Sequence, residues 1–249
     1  MSDIIYKFLT AENALKVLEQ SRLKVGLLRE LNDVYDCAPV YGPMGKEPGF
    51  LPQWWSEYVV NLNFRTYGLL CFSKTLTSPL LWGHYAACSS GIALGFDPAH
   101  FTWEDRIEVS YDRSRPILQW PKDRNMTPED WQELFRTSFG VKAEEWRYEK
   151  EVRYVVKLAE CEPRSGMYFA GFHGRALREV IVGCRCSVTP TYLQHFLGSH
   201  YRGLGVSIHI AHEHPTLFEI AIRPHPDIPP KLETPSDDAV IEEKRAPSQ

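Results

Sequence analysis

What most limits the fold of this chain is the shortness of its apolar runs. Residues 4–9, 23–28, 67–72, 92–96, 107–111, 151–158, 180–182, 206–211 and 217–222 each hold a few apolar or alternating positions and read as strands, the last two as a terminal hairpin. Helical patterns fall between them. Thr10 caps a helix with Leu15, Val17 and Leu18 on its buried side. Residues 54–64 form a second helical stretch, and Ser78-Pro79 opens a third that runs through Ala87. Thr127-Pro128-Glu129-Asp130 begins a fourth, to about residue 139, and Thr189-Pro190 a fifth, to about residue 197. Strands and helices mix without a regular strand–helix–strand rhythm. The predicted class is therefore α+β, with mixed, mainly antiparallel sheets and peripheral helices.

The same shortness bears on partners and location. No run approaches the roughly 20 apolar residues a membrane helix needs, so no membrane association is expected. The start lacks the basic and long apolar regions of a secretion signal, and six cysteines without export read as reduced thiols. Both readings place the protein in the cytoplasm. A formal charge of −4 argues against a globally basic nucleic-acid binder and leaves a local basic groove open.

Residues 1–223 carry enough apolar and aromatic content for a single globular α+β domain. Residues 224–249 are rich in Pro and charge and read as a flexible tail. Residues 37–53 are a Gly- and Pro-rich loop long enough to act as a lid, and residues 170–174 read as a loop.

Phosphate-loop, zinc-protease, hydrolase and kinase signatures are absent. Five short stretches instead combine aromatic rings with polar groups. Lys7 lies inside the apolar strand Tyr6-Lys7-Phe8, where a charge is costly unless it is paired, faces a cleft or snorkels from an edge. Asn32 and Asp33, followed by Asp36, make an Asx turn or a ligand contact. Cys71-Phe72-Ser73 precedes Trp82-Gly83-His84-Tyr85, in which Trp82, Tyr85 and Ala86 share one helix face and His84 points elsewhere. Glu149, Glu151 and Arg153, beside Trp146 and Tyr148, alternate as one face of a strand. They can hold a ligand, or equally form a solvated salt-bridged face. Glu179 stands before the 180–182 strand. The spacings of Cys184 and Cys186 and of His209, His212 and His214 fit no standard zinc site, and no metal is predicted.

Taken in order, these stretches resemble a bacterial family of unknown function. Its members carry Tyr-Lys-Tyr/Phe, Asn-Asp-Pro-Phe-Glu/Asp, Cys-Phe-Ser, Trp-x-His-Tyr-Ala and Tyr-Glu-x-Glu-x-Arg motifs. The match covers roughly residues 4–223, with Val34 where the family has Pro. More distantly, the opening order of strand, helix, strand and Asn-Asp is similar to that of ADP-ribosyltransferase-like enzymes, among them toxins that modify DNA. That resemblance implies an NAD-cleaving enzyme that modifies a nucleic acid or protein, in phage defence or as a toxin. It puts Lys7, Ser73 and one of Glu149, Glu151 or Glu179 at the positions of the key residues. Glu149, Glu151 and His84 then become the catalytic candidates. Lys7, Ser73, Trp82, Tyr85, Tyr148, Arg153, Asn32 and Asp33 become the groups that bind a nucleotide. The reading requires Lys7, His84, Tyr85 and Glu149 or Glu151 to converge on one cleft. A non-catalytic nucleotide- or peptide-binding domain and a metal-dependent nuclease or hydrolase are the alternative readings of the same residues.

Overall fold

A computed structural model describes residues 3–41, 65–118 and 127–224 of the chain. The 54–64 helix, most of the 37–53 loop and the 224–249 tail beyond Pro224 lie outside the described residues.

Strand β1 (Ile5–Leu9) leads into helix α1 (Ala11–Gln20), whose first turn is capped by the Thr10 side chain accepting the Asn13 N–H. Two strands, β2 (Arg22–Leu27) and β3 (Val40–Tyr41), come before β4 (Tyr67–Ser73). Helix α2 (Pro79–Tyr85) and β5 (Ile92–Phe96) come next. The single strand expected at 107–111 is two, β6 (Arg106–Glu108) and β7 (Ser110–Asp112), which pair with different partners. After β8 (Ile117–Leu118) come α3 (Pro128–Phe139), β9 (Val141–Ala143) and a 3₁₀ helix, Glu144–Glu149. The chain continues through β10 (Glu151–Lys157), β11 (Glu162–Arg164) and β12 (Met167–Gly171). It ends with β13 (Leu177–Val182), α4 (Pro190–His200), β14 (Ser207–Glu213) and β15 (Ile220–Pro224). Ala170 and Gly171, expected in a loop, close β12 against β2.

Among the described residues, eleven strands form one sheet, antiparallel except for the β13–β14 pair, across which α4 makes the crossover. The α+β class is observed. Strand β4 is the branch point. It pairs along its whole length with β10, at Gly68 and Leu69 with β2, and at Ser73 with β1. Leu70 to Phe72 thus face neither β1 nor β2 in register.

Alternation sorts the side chains. Val152, Tyr154 and Val156 of β10 join Leu70, Phe72, Ile92, Leu94 and the buried side of α1 in the main core. Glu151, Arg153 and Val155 face the other way. On that second face, one apolar cluster forms around Phe8, Leu81 and Trp82 and another around Leu69, Phe139 and Val155. Charged residues lie between the two.

Helix α2 stops at Tyr85 rather than continuing through Ala87, because Ala87, Cys88 and Ser89 adopt left-handed φ values of 48°, 54° and 66°. The turn is held by Gly91 N–H donating to the Ala86 carbonyl at 2.8 Å and Arg185 N–H to the Ser89 carbonyl at 3.0 Å. A Cβ at Gly91 would collide with the Leu9 carbonyl oxygen and the Ala86 backbone. Gly91→Ala is expected to cost about 1–3 kcal/mol of stability, the usual price of overpacking, read as a lowered urea midpoint at unchanged slope.

Candidate functional site

The site begins with one buried cation. Arg153 is fully buried on β10, and each of its five N–H donors has an acceptor. Nη1 and Nη2 donate to the two Asp36 oxygens, both at 2.7 Å. Nε and Nη2 donate to Glu151 at 2.8 and 2.9 Å, and Nη1 also reaches the Phe139 carbonyl at 3.0 Å. Burial works to raise the Glu151 carboxyl, but Arg153 and then Lys142 override it and hold the group down at about 2. Arg153 and Glu151 are therefore the scaffold of the site, and neither has the free valence expected of a ligand contact or a catalytic acid.

A second buried cation, Lys142 on β9, sits among three carboxylates, 2.6 Å from Glu149, 3.3 Å from Glu151 and 3.6 Å from Asp36. Its Nζ also lies 4.7 Å from the Trp146 ring centroid. Burial works against its charge, and Glu151, Glu149 and Asp36 more than offset this and hold the proton on. Lys142 Nζ thus bridges Glu149 and Glu151.

Glu149 is not on the strand with Glu151. It ends the 3₁₀ helix, and the left-handed Lys150 (φ 43°) turns the chain into β10 so that both carboxylates still meet Lys142. The Ser73 hydroxyl fixes that turn by donating to the Glu149 carbonyl at 2.5 Å, and it accepts the Thr75 N–H at 3.1 Å. Ser73 is buried and pins the backbone; it is not a ligand group.

The Glu149 carboxylate faces the aromatic residues. Its Oε1 accepts the Tyr85 hydroxyl at 2.5 Å, and that hydroxyl accepts the Asn32 amide N–H at 2.8 Å. Burial raises the Glu149 carboxyl above the ordinary range, and Lys142 and Tyr85 only partly offset this. Around it, the exposed His84 pairs through Nδ1 with the Tyr148 hydroxyl at 2.9 Å, its ring 6.5 Å from Trp146. His84, Tyr85, Trp146, Tyr148 and Asn32 thus form a rim over Glu149. Asp33 takes the turn role, its Oδ1 accepting the Tyr35 N–H at 2.9 Å.

Two predicted ligand groups are placed elsewhere. Trp82 is fully buried, its indole N–H donating to the Leu76 carbonyl at 2.7 Å and its ring edge-on to Phe8; it is core. Lys7 follows Tyr6, which is paired with Ser73, so it projects from the opposite face of the sheet. Its ammonium donates to the Cys71 carbonyl at 2.8 Å, in the stretch where β4 has no register partner on β1 or β2. The expected convergence therefore holds for His84, Tyr85, Glu149 and Glu151 and fails for Lys7.

Sequence reading missed Lys142, Asp36 as the partner of Arg153, and Tyr111, whose hydroxyl accepts the Glu151 N–H at 2.8 Å. Lys142 carries the signal that drew attention to Lys7, a cation between Val141 and Ala143 in a short strand. Asp36 closes the Asn-Asp stretch, already singled out as a turn. Among the described residues no helix is long and apolar enough to cross a membrane, and no cluster of three or more His, Cys, Asp or Glu is placed to hold a metal ion. No protein-family model, no curated protein and no solved structure matches this chain.

Proposed function

We propose that the rim over Glu149 binds NAD and that the protein transfers ADP-ribose to a nucleic acid or protein acceptor, as the distant resemblance implies. The observation that carries this reading is the Glu149 carboxylate, held by Tyr85 and Lys142 beneath the exposed His84 and the half-buried Tyr148 and Trp146 rings. Bond cleavage leaves the electron pair on the departing nicotinamide and positive charge at the ribose carbon. A fixed carboxylate that accepts a ribose hydroxyl stabilises such a centre. The acceptor's nucleophile then bonds to that carbon, and its proton passes to His84 or Glu149. Tyr148 and Trp146 supply faces on which a flat ring stacks. The adjacency of β1, β4 and β10 adds support, because the resemblance assigns Lys7, Ser73 and Glu151 to these strands, with Glu149 in the turn before β10 and Glu179 on β13 as its other candidate acids. The β1 side chain on that face is Tyr6, so Lys7 leaves the nucleotide-binding groups and the proposal rests on His84, Tyr85 and Glu149 without it.

The test is release of labelled nicotinamide from NAD in the presence of DNA, RNA and protein extracts. Tyr85→Phe is expected to slow release about 10- to 100-fold, since a hydrogen bond to a charged group is worth about 1.5–3 kcal/mol. Both Glu149 oxygens already have partners, and this favours the second reading, a binding domain without catalysis. NAD bound at the rim without nicotinamide release establishes that reading. Neither binding nor release overturns both.

A further inference from the structure

The registers of five strand pairs line up one row across the sheet. Glu151 faces Ser73, Ser73 faces Tyr6, Tyr6 faces Gly95, Gly95 faces Glu179, and Glu179 faces Ser207. Register partners share a face, so all six positions lie on the side of the sheet that carries Glu149. The row has a second polar centre at its far end. The Tyr6 ring crosses the bare backbone of Gly95, where an added Cβ would sit 3.0 Å from its Cε1. Its hydroxyl donates to Glu179 Oε2 at 3.3 Å. Burial and then the Glu179 charge keep the proton on that phenol. On β14, two residues along from Ser207, His209 places Nε2 3.0 Å from the Ser207 hydroxyl. That hydroxyl gives its own proton to the Arg178 carbonyl at 3.3 Å. A neutral His209 ring that donates from Nε2 leaves Nδ1 as an acceptor. Glu179, Ser207 and His209 are half-buried, and among the described residues no donor reaches Glu179 Oε1.

Glu179 Oε1 and His209 Nδ1 are thus two acceptors to which no described protein group donates, set beside the Tyr6 ring. A carboxylate with a spare oxygen is the usual partner of paired ribose hydroxyls. We propose that Glu179, His209 and Tyr6 form a second binding site that takes the vicinal hydroxyls of a ribose. From Ser73, which pins Glu149, to Glu179 is three strand spacings, about 14 Å, a span that an extended dinucleotide covers. NAD carries two riboses, so one can be held at Glu149 and the other at Glu179. The identity of this ligand rests on the nucleotide reading of the first site.

The test uses AMP, 2′,3′-dideoxy-AMP and NAD as probes, titrated calorimetrically against the full chain. The wild type is expected to prefer AMP over its dideoxy analogue about 10- to 100-fold, the weight of a hydrogen bond to a charged group. Glu179→Gln should erase that preference and weaken NAD by a similar factor. His209→Ala, a milder change should Glu179→Gln misfold, should reduce the preference. Equal binding of the two AMP probes by the wild type, or an unchanged preference in both variants, overturns the second site. Nicotinamide release with AMP and NAD binding indifferent to Glu179 removes this inference and leaves the proposed activity standing. A Glu179-dependent AMP preference without nicotinamide release does the reverse.

Discussion

Arg153→Met is expected to lower unfolding free energy by about 3–5 kcal/mol in urea at neutral pH, as removal of one partner of a buried ion pair does. The reason is local. Arg153 is fully buried, and its fork neutralises Asp36 and Glu151 while also satisfying the Phe139 carbonyl. With Met in its place, Lys142 alone faces three acids. Arg153→Lys should recover little, because one ammonium cannot reproduce five fixed donors. The exposed pair Arg106–Glu108 provides the control, and Arg106→Met there should be close to neutral. The triple variant Asp36→Asn, Glu151→Gln, Arg153→Met should be less destabilised than Arg153→Met, since it strands no charge. A stability loss for Arg153→Met no larger than that of Arg106→Met would refute this account.

The second large effect separates two glutamates that look equivalent in sequence. Glu149→Gln is expected to cut nicotinamide release by about 10²–10³, the typical loss of one preorganised electrostatic contact, while leaving neutral-pH stability unchanged or higher. The sign follows from the folded carboxyl lying above its ordinary range. Such a group binds its proton more tightly when folded, so its contribution to stability falls as pH rises through the folded value. Gln removes that penalty. Glu151 is the opposite case. Its folded value of about 2 lies below the ordinary ~4.3, so its contribution is present above ~4.3 and disappears as pH falls towards 2. Glu151→Gln should cost about 3 kcal/mol at pH 7 and flatten the acid limb of the stability curve between about pH 4 and 2. Urea titrations at pH 7, 5 and 3 read both signs; equal losses for the two variants would contradict the division of roles.

Much of this architecture was legible along the chain because it is local. Thr10 as a cap, Pro79 and Pro190 at helix starts, and the alternation from Glu151 onward depend on neighbours a few residues away. Trp82 and Tyr85 were not separable by that means. Both belong to one helix face, yet Trp82 falls over Phe8 and Tyr85 over Glu149. Lys7 and Lys142 show the same limit. Each is a cation in an apolar strand, and only the partners across the sheet decide that one caps a backbone carbonyl and the other organises a site. Glu149 was placed on the strand because nothing in its own sequence announces the left-handed turn at Lys150.

The wiring of the ionic network has a consequence in time. Asp36 and Arg153 are 117 residues apart, and Ser73 and Glu149 are 76 apart. Closing such distances has an entropic cost before any contact rewards it, so pairings of this kind are slow to form. Until they do, the chain must carry unmatched acids and bases in loosely ordered, hydrated segments. The candidate site is consequently expected to assemble late in folding, so that substitutions at Arg153 or Ser73 speed unfolding more than they slow folding.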